Sequence, residues 1–213
     1  MHYAELAEHN LLALRENPYP GRGIIQGVSA DGDHLVQCYW IMGRSENSRN
    51  RVFSRIGGKV YTEAADPVKV TDPSLIIYNA MNETVNQSSC QVFVVSNGHQ
   101  TDSAHLELQY KTNLAEALRG WSYEPDKPNF TSRITASWSR FEKREVAQFV
   151  TIRKSPWDES SQYIHCEYTN IRKGLGYCIT TYSGDGDPLP PFRGDPILLP
   201  LRGEDASDVA FHL

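Results

Sequence analysis

Five short clusters hold the side chains of this sequence that are able to do chemistry. The first, Asn17-Pro18-Tyr19-Pro20-Gly21-Arg22-Gly23, sets an arginine in a tight turn before an apolar run. The second, Gly43-Arg44-Ser45-Glu46-Asn47-Ser48-Arg49-Asn50-Arg51, continues to Arg55 and Lys59, with Glu46 as its single acid. A guanidinium fork donates two parallel bonds to a phosphate, and the serines and asparagines add further donors. That run therefore reads as an anion site, with an exposed charged loop as the plainer alternative. The third cluster, Tyr78-Asn79-Ala80-Met81-Asn82, closes an apolar segment. The fourth, Ser96-Asn97-Gly98-His99-Gln100-Thr101-Asp102, joins an apolar strand to a helix. Such a turn offers backbone N–H groups and, here, one titratable histidine. The fifth runs from Tyr123 to Ile134, where Pro125 and Pro128 enforce a loop bearing Glu124, Asp126 and Arg133 for proton transfer or ion pairing.

The elements that must position these clusters follow from periodicity. Tyr3, Leu6, Ala7, Leu11 and Leu14 recur at helical spacing, so residues 1–16 form an amphipathic helix ended by Asn17-Pro18. Gly23 to Ser29 and His34 to Met42 read as two strands of a hairpin around Asp31-Gly32. Further strands are expected at 57–62, 74–78, 90–96, 132–139, 146–153, 161–168 and 175–182. A second helix is expected over 102–119, burying Leu106, Tyr110, Leu114 and Leu118, capped by Thr101 or Asp102 and stopped by Gly120. The order of helix, strands, helix, strands predicts an α+β fold with antiparallel sheets rather than alternating βαβ units. The proline-rich stretch Pro188 to Pro200 reads as a loop over the fold.

Composition narrows the classes. The 213 residues suit one core, with 39% hydrophobic and 22% charged residues, so a single domain over 1–213 is expected. The apolar runs are only a few residues long and the first segment carries Glu5, Glu8 and Arg15, so neither a membrane span nor a secretory signal is read, and the cytoplasm is the expected location. A net charge of −5 argues against a general nucleic-acid binder. Cys38, Cys90, Cys166 and Cys178 stand singly, as reduced structural residues rather than metal ligands. No Ser-His-Asp order, H-E-x-x-H, G-x-G-x-x-G or phosphate-loop pattern occurs.

Taken in order, the clusters resemble the archaeal-type IMP cyclohydrolase family and its bacterial relatives. The matching stretches are Asn17 to Gly23, Arg44-Ser45 through Asn50-Arg51, Tyr78-Asn79, Ser96-Asn97-Gly98 with Thr101-Asp102, Tyr123-Glu124, Arg133-Ile134, and Gly184 to Pro190 with Phe192. They span residues 17 to 200. Two departures stand out: Ser132 precedes Arg133 where proline is expected, and the Arg44–Arg51 segment is longer.

The resemblance implies a four-layer αββα sandwich related to the N-terminal-nucleophile hydrolases. The chain opens Met1-His2-Tyr3, so a catalytic first residue is not expected. It also implies closure of 5-formamidoimidazole-4-carboxamide ribonucleotide to inosine monophosphate with loss of water, without metal or cofactor. On that reading Arg22, Tyr78, Glu124 and Arg133 are catalytic, with Glu124 first choice for proton transfer and Tyr78 and His99 as alternatives. Arg44, Ser45, Arg49 and Arg51 hold the phosphate, while Asn79, Asn97, Gly98, His99 and Phe192 contact the substrate. The expected partner is a small purine ribonucleotide, not nucleic acid or a membrane, and self-assembly into a homo-oligomer is compatible with the fold. Two other readings stay open: an enzyme acting on a different amide, and a non-catalytic purine-nucleotide-binding protein.

Overall fold

The computed structural model describes residues 2–87, 89–141 and 144–213. In chain order it runs α1 (Tyr3–Glu16), β1 (Gly23–Val28), β2 (Leu35–Trp40), α2 (Glu46–Arg49), β3 (Arg51–Ile56) and β4 (Lys59–Ala64). There follow β5 (Asn79–Val85), β6 (Gln91–Ser96), α3 (Gln100–Glu107), α4 (Leu114–Ala117), β7 (Arg133–Phe141) and β8 (Arg144–Lys154). The last elements are β9 (Ser161–Thr169), β10 (Leu175–Thr180), β11 (Ile197–Pro200) and α5 (Ala206–His212).

Two antiparallel sheets result, one ordered β11-β10-β1-β2 and the other β3-β4-β5-β6-β7-β8-β9. Strand alternation decides how they stack, because successive side chains point to opposite faces. On the smaller sheet Ile25, Val36, Cys178 and Leu199 pack with Leu11 of α1 and Val209 of α5. Their neighbours Ile24 and Ile179 turn the other way, onto Val95, Ile134, Ala136, Trp138, Ala147 and Phe149 of the larger sheet. That sheet's far face sets Val92, Val94, Val150 and Ile152 against Ala104 and Leu108 of the α3 segment and Leu114 and Ala117 of α4. The layers are therefore helix, sheet, sheet, helix, as the family resemblance implies.

Helix α1 starts on a reciprocal cap: His2 Nδ1 accepts from the Ala4 N–H and Glu5 accepts from the His2 N–H. The expected helix over 102–119 is instead two short helices. Asn113 caps α4 through the Glu116 N–H, and Gln148 reaches across from β8 to accept from the Leu114 N–H and donate to the Thr112 carbonyl. These partners reward a break that periodicity alone does not show. Leu106 and Tyr110, expected to be buried, lie exposed, and neither Thr101 nor Asp102 caps α3, whose N-cap is His99.

The expected strand at 74–78 is also corrected. Asp72 accepts from the Ser74 N–H and Pro73 starts a 3-10 turn, so pairing begins only at Asn79. Conversely, the basic run read as a loop becomes α2 and the edge strand β3, and Pro200 ends a strand rather than lying in a loop. All four cysteines are free thiols, and burial pushes the Cys38 thiol up to about 11. Among the described residues no helix is long and apolar enough to cross a membrane.

Phe149 is fully buried between the sheets and meets Tyr168 edge-on, with ring centres 5.9 Å apart. Phe149→Ala should cost about 3–5 kcal/mol through lost burial and the cavity left behind. Urea melts should show a lower midpoint with an unchanged slope; an unmoved midpoint would mean the two sheets do not depend on this contact.

Candidate functional site

The site lies where loops from both sheets meet. Gly21 adopts φ +73°, and a Cβ there would fall 2.3 Å from Thr181 Oγ1, so only glycine lets the turn press against β10's end. The next residue, Arg22, is pinned by its backbone: its N–H donates to Thr181 Oγ1 and its carbonyl accepts from the Thr181 N–H. Its guanidinium is thereby aimed at Glu124, with Nη2 3.4 Å from Oε2.

Arg133, the first residue of β7, approaches from the larger sheet. Its Nε donates to the Ser122 carbonyl at 2.8 Å, its Nη1 to Gln100 Oε1 at 3.0 Å, and its guanidinium lies over the Trp121 ring. That leaves Nη1 3.9 Å from Glu124 Oε1. A Cβ on Gly98 would sit 2.8 Å from Gln100 Oε1 and 3.1 Å from Arg133 Nη1, so a larger residue here would displace the ends of both side chains.

Glu124 itself is held by a compact loop. Its N–H donates to the Thr131 carbonyl, while Asp126 accepts from both the N–H and the hydroxyl of Thr131. With its proton given to Asp126, the Thr131 hydroxyl accepts from that of Tyr182. Asn97 supplies the third partner, its Nδ2 lying 3.4 Å from Glu124 Oε1.

All three polar contacts to the Glu124 carboxyl are long for hydrogen bonds, so none fully quenches it. Burial raises its pKa, and Arg22 and Arg133 oppose that rise without cancelling it. For Arg22, burial works against the charge, but Glu124 and the nearby hydroxyls of Tyr78, Tyr39 and Tyr182 outweigh it, so the guanidinium stays protonated. The arrangement is a carboxyl of raised basicity beside two fixed cations, suited to proton transfer next to developing negative charge.

Two cavities adjoin this group and share Glu124 and Asp126 in their walls. One, of about 220 Å³, is lined by Arg22, Arg44, Ser45, Ser48 and Arg51. The other, of about 280 Å³, is lined by Tyr78, Gly98, His99 and Arg133. Small-molecule sites usually enclose roughly 300–1,000 Å³, so a ribonucleotide-sized molecule needs both. One end thus gathers three arginines, Arg22, Arg44 and Arg51, and the other the rings of Tyr78 and His99 beside Arg133.

The residues singled out in the sequence divide accordingly. Arg22, Tyr78, Asn97, Gly98, His99, Glu124 and Arg133 are brought together, with Arg44, Ser45 and Arg51 next door. Ser45 caps α2 through the Ser48 N–H, and Arg51 Nε is tied to the Ser48 carbonyl. Asn97 is committed to structure: Oδ1 accepts from the Ile134 N–H and from Gln100, and Nδ2 donates to the Ser132 carbonyl and towards Glu124. It extends the β6–β7 ladder by one side chain and has no donor left for a ligand.

Arg49, Asn79 and Phe192 line neither cavity. Asn79 donates to Asp102, which also accepts from Asn82. Phe192 packs against the core between the sheets. Tyr39, Tyr182 and Gln100 were not selected from the sequence. In β2, Tyr39 alternates with Leu35 and Gln37 opposite the more apolar Val36, Cys38 and Trp40, so spacing gave no signal for it.

Among the described residues no group of histidine, cysteine and carboxylate side chains could hold a metal ion. The profile of a family described as IMP cyclohydrolase-like protein matches residues 19–212. A comparison with curated proteins returns no match.

The Glu124 carboxyl should titrate above the usual value near 4.5. Because Arg22 lowers that pKa, Arg22→Met should raise it further. Carboxyl carbon shifts in glutamate-labelled protein would read both; a titration at or below 4.5 would show that the two guanidinium groups outweigh burial.

Proposed function

The chain belongs to the IMP cyclohydrolase-like family, and from that premise we propose that it closes the purine ring of 5-formamidoimidazole-4-carboxamide ribonucleotide to give inosine monophosphate and water. The observation that carries this reading is the position of Glu124 at the junction of a cavity lined by Arg22, Arg44 and Arg51 and one lined by Tyr78, His99 and Arg133.

The reaction forms one bond within one molecule. The carboxamide nitrogen attacks the formyl carbon, the carbonyl becomes a hydroxyl, and that hydroxyl then leaves with a second proton as the former formamide nitrogen gives up its own. There is no redox change, so the work is orientation and proton transfer. In this proposal Arg44 and Arg51 hold the phosphate, setting the imidazole near Tyr78, His99 and Arg133. Glu124 takes the proton from the carboxamide nitrogen, an otherwise poor nucleophile. Arg22 and Arg133 stabilise the negative charge growing on the formyl oxygen, a role in which one lost donor costs on the order of a hundredfold or more. Tyr78 returns a proton to that oxygen.

The purified protein should form inosine monophosphate from the formamido ribonucleotide well above the uncatalysed rate, with no added cofactor. Glu124→Gln should lower kcat by about 10²- to 10⁴-fold, the usual range for a lost general base. Arg51→Met should instead raise KM by roughly tenfold or more, as a charged hydrogen bond to phosphate is lost. A general base must be unprotonated, so kcat/KM should fall as pH drops through the raised pKa of Glu124, giving an acidic limb above 4.5. Background turnover with retained inosine monophosphate binding would move the protein to the nucleotide-binding class.

A further inference from the structure

We infer that Tyr39 is a positioning residue that makes Tyr78 a proton donor into the base-end cavity; the inference rests on the ring-closing reading above. The geometry begins in β2, read as Leu35-Val36-Gln37-Cys38-Tyr39-Trp40. Val36, Cys38 and Trp40 pack on the helix side, while Leu35 and Tyr39 face the space between the sheets. Tyr39 pairs with Ile24 in β1, two residues beyond Arg22. Its ring meets Phe53 of β3 edge-on, with centres 5.7 Å apart, so both sheets hold its orientation.

The Tyr39 hydroxyl lies 2.7 Å from that of Tyr78, close enough to share one proton. Tyr39 as a whole is half-buried, but its phenol end is buried. Among the described residues its hydroxyl has one hydrogen-bond partner, Tyr78 Oη. Were Tyr39 to accept, its own proton would be left buried without an acceptor, which is costly. Were it to donate, both groups are served: Tyr78 accepts from behind and keeps its proton for the cavity it lines.

Electrostatics keeps the donor in its protonated form. The Arg22 guanidinium acts electrostatically on both Tyr39 and Tyr78. Burial, reinforced by Tyr78, holds the Tyr39 phenol well above its usual range, which keeps it protonated and able to donate.

The proton balance is closed. Tyr78 gives its proton to the oxygen of the attacked formyl group while Glu124 takes one from the carboxamide nitrogen. The Tyr39 hydroxyl and Arg22 stabilise the transient Tyr78 phenolate until water is lost, when Glu124 gives its proton to the leaving hydroxyl and the phenolate takes the proton of the former formamide nitrogen, restoring both groups.

The experiment is a double-mutant cycle on the full chain, Tyr39→Phe and Tyr78→Phe, read by steady-state kinetics and by melting. Tyr39→Phe should lower kcat about tenfold with KM unchanged, the scale of one lost hydrogen bond. In the Tyr78→Phe background the same substitution should cost no further rate. It should also recover part of the lost melting temperature there, because it removes a donor orphaned by the first change. Should Tyr39→Phe fail to fold, 3-fluorotyrosine at position 39 keeps the shape and strengthens the donor. That variant should hold or raise kcat, whereas a fall would mean that Tyr39 accepts. An active wild type with unaffected Tyr39→Phe kinetics, or additive rate losses, overturns the role of Tyr39 alone. A wild type that does not turn over the formamido ribonucleotide overturns the ring-closing reading and this role with it, even if melting confirms the hydroxyl pair.

Discussion

A buried carboxylate must be met by opposite charge or hydrogen-bond donors, and meeting Glu124 organises this molecule. No single element supplies the partners. Arg22 comes from the turn before β1 in the smaller sheet, whereas Arg133 opens β7 and Asn97 directly follows β6 in the larger one. The three converge only because Ile24 and Ile179 pack against Ile134, Ala136 and Phe149, which sets the distance between the sheets. The apolar interior therefore acts as the ruler for the polar site. Packing at that density transmits small shifts, so a change between the sheets reaches Glu124 without touching it.

Around this centre the side chains fall into two grades of restraint. Arg133 is held by a carbonyl, an amide oxygen and an indole face, and Asn97 is saturated by four partners. Arg44 is different: its guanidinium is half-exposed, paired with Asp185 at 3.0 Å and bonded to the Gly186 carbonyl. Exposed pairs of this kind contribute little to stability and exchange partners readily. Rigid groups thus surround the region proposed for bond making, and an exchangeable cation stands at the end proposed for the phosphate. That division matches what each part must do, since chemistry needs fixed geometry and capture of a charged group needs access.

Periodicity was a sound guide where one face of an element is apolar. Helix α1, the β1–β2 hairpin and strands β6 to β10 follow from their spacing, because burial of a stripe or an alternate face dominates their energy. It misled where a distant side chain decides the outcome. The break between α3 and α4 depends on Gln148, which lies 34 positions from Leu114 in the chain. The basic segment after Gly43 reads as a loop until Arg51 to Ile56 is seen paired with β4 as an edge strand. At an edge, charged side chains are tolerated and even protective, so alternation is a weak signal there.

By itself, the sequence determined an α+β fold with antiparallel sheets, through local spacing, and the family to which the order of its short motifs belongs; the helix–sheet–sheet–helix layering was implied by that resemblance and not by spacing. Only the tertiary structure decided which clusters meet. Asn97 passes from substrate contact to scaffold, Asn79 and Phe192 leave the cavities, and Tyr39 enters the site through a hydroxyl 39 positions away. The reason is physical: a hydrogen bond or an ion pair acts over about 3–4 Å, and which distant residues come that close is set by how the two sheets stack.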